Sequence, residues 1–200
     1  MMKAGSIQIE EVRAFFDRYA PSWDENEIRD EEVISVILDN AGITEGSEVL
    51  DVACGTGTLI PDYLRRKVSS VTAIDLSPEM IRIAESKFLQ KNVTFICEDV
   101  MKTEPGKCFD AIVVYNALPH FSDPEGLIKH LSHMLREGGI LTVAHGMSRE
   151  QINACHTGAA GHVSAGLMEA EELKAVFSRY LQVTTVISDD RMYQVAGRRQ

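Results

Sequence analysis

Apolar positions at the start of the chain recur with a helical period. Val12, Phe15, Phe16 and Tyr19 follow the i, i+3, i+4, i+7 rule, and Pro21 ends the run. Ile28, Val33, Ile34, Ile37 and Leu38 predict a second helix over about 26–40, stopped at Gly42. Beyond Gly42 the pattern changes to short apolar runs at 49–53, 71–75, 93–96, 109–115 and 140–144, which read as strands. Helical stretches fall between them at about 59–66, 77–89 and 123–135. Ser77-Pro78-Glu79 and Asp123-Pro124-Glu125 each place a capping side chain before a proline at the first helical position. A last helix over about 168–179 precedes strands at 183–188 and 192–196.

Strands alternating with helices predict an α/β fold: a doubly wound, mainly parallel seven-stranded sheet with helices on both faces, Rossmann-like in type. Asp189-Asp190-Arg191 is too short for a parallel crossover, so the last two strands form a C-terminal antiparallel hairpin. We expect a single domain: a helical cap over 1–45, a ligand-binding core over 46–146, an insert over 147–167, and a closing helix and hairpin over 168–200. Ligands of such sheets bind beyond the carboxyl ends of the strands, at the topological switch point.

Composition narrows the partners. Hydrophobic residues at 44% and charged residues at 25% describe a globular chain rather than a disordered one. A net charge of -10 argues against the basic face that nucleic acid demands. No apolar run reaches the roughly 18 residues of a membrane span, and the N-terminus lacks a signal-peptide core. Cys54, Cys97, Cys108 and Cys155 form no CxxC pair, so we expect buried, reduced thiols in a cytoplasmic protein. The sequence leaves the oligomeric state open.

Candidate chemistry begins at the turn after the first strand. Gly55-Thr56-Gly57 follows an apolar strand and opens a helix, where glycine lets a backbone approach a ligand. Asp75 ends the next strand, where a carboxylate can accept both ribose hydroxyls of a nucleoside. The third glycine of a dinucleotide fingerprint is absent, since position 60 is Ile60. Asp51, inside the first strand, would repel a pyrophosphate and suits a cationic ammonium group. An adenosyl group joined to an amino acid fits both ends. An NAD(P)-dependent oxidoreductase is the weaker alternative on the same sheet, and a non-catalytic cofactor-binding module acting through a partner is another.

These residues carry a resemblance. Val49-Leu50-Asp51-Val52-Ala53-Cys54-Gly55-Thr56-Gly57 resembles motif I of the class I S-adenosylmethionine-dependent methyltransferases, with Ala53 where the first glycine usually stands. Ile74-Asp75-Leu76-Ser77-Pro78-Glu79-Met80, Glu98-Asp99-Val100, Tyr115-Asn116-Ala117-Leu118-Pro119-His120-Phe121 and Leu135-Arg136-Glu137-Gly138-Gly139-Ile140-Leu141 are similar to the later motifs, in order. The opening stretch from Phe15 to Asp24 resembles the N-terminal cap of small-molecule members. The resemblance implies that the protein transfers a methyl group from S-adenosylmethionine to a small-molecule acceptor. It implies that Asp51, Ala53, Gly55 and Gly57 hold the methionine end and Asp75 the ribose. Leu76 and Met80 would pack on the adenine, Asp99 and Val100 would meet its edge, Asn116 would place backbone near the sulfonium, and Tyr19 and Trp23 would close the site.

Methyl transfer needs a base only where the acceptor carries a proton that must leave, and histidine titrates in the useful range. His120 and His145 fall at the carboxyl edge of the sheet and His156 in the segment that follows, and these three are the candidates, whereas His130 and His133 lie within a helix. Ser148-Arg149-Glu150-Gln151 is a capping-box pattern that predicts a short helix over about 149–156. Arg149, Asn153 and His156 then share one face, which we expect to line the acceptor pocket and to recognise a polar or anionic acceptor. Ile152 and Cys155 are expected to point elsewhere. His120, His145, His156 and His162 with Cys155 match no common ligand spacing, so no metal is expected.

Overall fold

The computed structural model describes residues 7–104, 106–155 and 161–200. Strands β1 (Glu48–Val52), β2 (Ser70–Asp75), β3 (Val93–Cys97), β4 (Phe109–Tyr115), β5 (Leu135–His145), β6 (Gln182–Ser188) and β7 (Tyr193–Arg198) form one sheet in the order β3-β2-β1-β4-β5-β7-β6. The pairs from β3 to β5 are parallel, and β7 runs antiparallel to both β5 and β6. Chain order reverses between β1 and β4, and the cavity opens beyond their carboxyl ends.

Alternation along the strands feeds two cores. Val49, Ala111 and Val113 face α2 (Glu31–Asn40), α3 (Ile60–Arg65) and α4 (Pro78–Lys87), packing with Ile34, Leu38, Leu59 and Tyr63. Leu50, Ile112 and Val114 face α5 (Pro124–His133) and α7 (Ala170–Phe177), packing with Leu127, Leu131, Leu173 and Phe177. Helix α1 (Ile9–Tyr19) and the turns Ala20–Ser22 and Asp24–Asn26 lie above α4, and α6 (Arg149–Cys155) follows β5.

The caps set the helix starts. The Ser77 hydroxyl accepts from Met80 N at 3.1 Å, and the Asp123 carboxylate accepts from Gly126 N at 2.9 Å. Helix α2 begins five residues later than its apolar pattern suggests, because Asp30 accepts from Glu32 N and Val33 N at 3.0 and 3.1 Å and fixes the first turn there. Ile28 is consequently outside the helix and 70% exposed. Of the four cysteines only Cys54 is buried; Cys97, Cys108 and Cys155 are exposed, against expectation. Cys97 ends β3, Cys108 precedes β4 and Cys155 ends α6, all at the borders of elements rather than inside the core. No helix among the described residues is long and apolar enough to cross a membrane.

Candidate functional site

The cavity holds about 630 Å³ between the ends of β1, β2 and β4 and the overlying N-terminal helices. Its floor is the turn after β1. Ala53 and Gly55 adopt left-handed backbone at φ 54° and 56°, and Cys54 N stays bonded to Ile74 O at 3.0 Å. Gly57 does not line the cavity. At φ 88° a Cβ there would sit 2.6 Å from the Phe88 ring, so its glycine serves the packing of the turn on the end of α4.

Two carboxylates give the floor its chemistry. Asp75 accepts from Gly55 N and Ser77 N, both at 2.8 Å, which aims one oxygen at each side of the turn. Burial pushes its pKa up to about 6 against the pull of those two donors. Asp51 is 2% exposed, and its Oδ2 has no hydrogen-bond partner. Burial, with the Asp75 charge beside it, pushes Asp51 up to about 8. A buried acceptor atom left unpaired on a cavity wall calls for a donor, preferably a cationic one, from a ligand. Leu76, Met80 and Val100 supply an apolar wall between this floor and Asp99. Asp99 accepts from Met101 N at 3.0 Å and so starts the turn Val100–Lys102. His130, structural as expected, bonds through Nε2 to Val100 O at 2.9 Å and holds that turn against α5.

Asn116 closes the far side. It is left-handed at φ 54°, its N–H donates to Ala144 O at 2.9 Å, and its Oδ1 accepts from Gly146 N at 3.1 Å. His120, in the turn Leu118–His120, is the one candidate imidazole among the described residues that lines the cavity. Its Nδ1 lies 2.8 Å from Val163 O, and its ring stands edge-on to Phe16 at 4.9 Å. Trp23 also lines the cavity and packs on Phe16 at 5.5 Å.

Other expectations are corrected. Tyr19 packs on Phe15 at 4.6 Å and, like Phe15, does not line the cavity. His145 is 1% exposed, edge-on to Tyr193 at 6.0 Å, and faces the interior rather than the cavity. His156 lies outside the described residues. The capping box forms as predicted, with Ser148 N donating to Gln151 Oε1 at 3.0 Å and Gln151 N to Ser148 Oγ at 3.3 Å. Yet the polar face of α6 turns away from the cavity. Arg149 Nη1 pairs with Glu169 at 2.9 Å and its Nε donates to Leu167 O at 2.9 Å. Asn153 accepts from Leu167 N at 2.6 Å and donates to Leu167 O at 3.2 Å. Both side chains hold the returning segment that includes Ser164–Leu167, so neither meets the cavity. The cavity-facing residues from this region, among the described residues, are Met147 and Cys155, the second of which was expected to point elsewhere. The sequence reading also missed Glu27, Met101 and Phe121. The capping residues Asp30, Asp99 and Asp123, each a few positions away, were the signals for where those turns lie. Among the described residues no three His, Cys, Asp or Glu side chains stand close enough to hold a metal ion.

The sheet order and the glycine turn beside Asp75 define the class I methyltransferase fold. Residues 49–139, just under half of the chain, match the family described as a methyltransferase domain. It is 38% identical over 104 residues to the ubiquinone biosynthesis O-methyltransferase of Xylella fastidiosa strain 9a5c, covering 50% of this chain and 42% of that one. It is 32% identical over 143 residues to the demethylmenaquinone methyltransferase of Tropheryma whipplei strain Twist, covering 66% and 58%. The chain thus spans about half the length of the curated relatives it matches. The N-methyltransferase NodS from Bradyrhizobium japonicum WM9, solved with S-adenosyl-L-homocysteine, shares the fold with a TM-score of 0.74 at 17% identity, covering 94% and 97%.

Proposed function

We propose that the protein transfers a methyl group from S-adenosylmethionine to a small-molecule acceptor in this cavity. The observation that carries the reading is the pairing, on one wall, of Asp75 fixed by two backbone N–H groups with the unpartnered Asp51 Oδ2. One carboxylate is held ready for a ribose diol, and the other needs a cation, which is what the aminoacyl end of the cofactor brings. Leu76, Met80 and Val100 would cover the adenine, Asp99 would accept from its amine, and Ala53 and Gly55 would let the aminoacyl end approach the backbone. When bound, the cofactor supplies a methyl group already activated on sulfur. The chain's own work is then to orient the acceptor and exclude water. Phe16 and Trp23 serve the second task as part of the cavity wall.

His120 is the proposed base where an acceptor proton must leave. A carbonyl can only accept, so the contact with Val163 O places a proton on Nδ1, and the neutral ring carries its lone pair on Nε2. Calorimetry with S-adenosylhomocysteine tests the cofactor half, and transfer of a labelled methyl group to a panel of acceptors tests the rest. Micromolar binding with loss of transfer in His120→Ala is expected. Absence of binding at millimolar ligand overturns the reading.

A further inference from the structure

The charge of the cavity wall bears on what the acceptor is. Six carboxylates line it, those of Glu27, Asp51, Asp75, Glu98, Asp99 and Asp123, and among the described residues no Lys or Arg does. Arg149, the cation expected to meet an acceptor, is committed to Glu169 and the Leu167 carbonyl. Five of the six carboxylates have a role already described or a local partner. Asp51 and Asp75 belong to the floor, Glu98 accepts from the Thr103 hydroxyl at 3.0 Å, and Asp99 and Asp123 cap turns. Glu27 is different. It is half-buried, lines the cavity, and makes no hydrogen bond or ion pair among the described residues. Arg29, two residues on, does not answer it, being bound to Thr58 O at 2.8 Å, to Glu31 and to Asp62.

The mouth is apolar. Among the described residues five large hydrophobic side chains are exposed, and three of them, Ile9, Ile28 and Met101, stand on this cavity. Such a rim accepts an apolar body. An anionic group entering here would be desolvated among carboxylates and would meet no Lys or Arg of the described residues, whereas a cationic group gains a partner in Glu27.

We infer that the acceptor is an apolar molecule carrying a cationic amine, and that Glu27 selects it. This rests on the reading that the cavity holds cofactor and acceptor together, and it replaces the polar or anionic acceptor expected from Arg149, Asn153 and His156. An uncharged acceptor would fit the apolar rim but would leave Glu27 unanswered.

The chain's single tryptophan, Trp23, lines the cavity, so its emission reports occupancy without any assay of turnover. Protein saturated with S-adenosylhomocysteine is titrated with 4-phenylbutylamine and with 4-phenylbutyrate, which differ chiefly in the sign of charge. The amine should bind at least about tenfold more tightly, and the preference should shrink at high salt. Glu27→Gln should reduce the preference to under about threefold while leaving the melting temperature and the affinity for S-adenosylhomocysteine nearly unchanged. Equal or tighter binding of the carboxylate overturns the inference, as does binding of neither probe. A Glu27→Gln change that weakens S-adenosylhomocysteine instead assigns Glu27 to the cofactor and overturns its role here. Failure of S-adenosylhomocysteine to bind breaks the cofactor reading; on the protein by itself, an amine preference that Glu27→Gln removes still supports selection by Glu27, and one that Glu27→Gln leaves intact overturns it.

Discussion

The wall of the cavity built by the turns after β1 and β2 and the wall built by the segment after β5 use polar groups in opposite ways. On the first, backbone N–H groups of Gly55 and Ser77 hold Asp75, while the buried Oδ2 of Asp51 accepts no hydrogen bond. On the second, the side chains of Arg149 and Asn153 and the ring of His120 all bind backbone carbonyls of the returning segment. The first wall uses main-chain donors to hold a side chain; the second uses side chains to hold main chain. Polarity on a helix face beside a site therefore says little about ligands until its local carbonyls have been accounted for.

The sharpest break in this contrast is Asp75→Ala. It removes the diol acceptor and strands two backbone donors, and we expect S-adenosylhomocysteine to bind about a hundredfold more weakly, near 2.7 kcal/mol. Calorimetry reads this, with circular dichroism checking the fold. Asn153→Ala should do the reverse: about 2 kcal/mol less stable to urea through loss of both bonds to Leu167, with cofactor affinity within about twofold. A large affinity loss in that variant would place the α6 face back in the site.

The third effect is one of pH. Asp51 sits near 8 in the folded protein against an ordinary 3.8. The group therefore favours folding below about 4, and that stability is lost as pH rises toward about 8. A cationic ligand needs the ionised form, so affinity should climb about eightfold from pH 6.5 to pH 7.5, below the range where the ligand's own ammonium titrates, with roughly one proton released on binding at pH 7. Titration in buffers of differing ionisation heat measures the release. Asp51→Asn should abolish it. Smallest is Ala53→Gly. A left-handed alanine costs of order 1 kcal/mol, partly offset by the greater freedom of an unfolded glycine, so a stabilisation under about 1 kcal/mol is expected in urea unfolding.

The same contrast decides what could be read from the chain. The strand ends, the glycine turn, Asp51, Asp75 and Asn116 were legible because the features that place them are local: an apolar run, a left-handed turn, a cap. The seven strands and the hairpin followed from period and from a connection too short to cross over. The α6 stripe was legible as a stripe. Its direction was not, because Leu167 and Glu169 lie fourteen to twenty residues on and nothing in the helix encodes which way it will roll. His145 was misplaced for a related reason: it pairs with Tyr193, which comes from a strand 48 positions later. Glu27 and Met101 were missed because they stand in short turns whose periodicity is too brief to give a face.

The position of β7 between β5 and β6 also sets a timetable. Residues 182–188 leave the ribosome before residues 193–198, yet have no sheet partner until the later strand arrives to join them to β5. The half of the sheet that carries the glycine turn can assemble from the first 145 residues, while β6 waits as an unpaired edge. A chain cut short between residues 188 and 193 and released from the ribosome should therefore already fold its nucleoside-side half and still expose a strand that chaperones recognise.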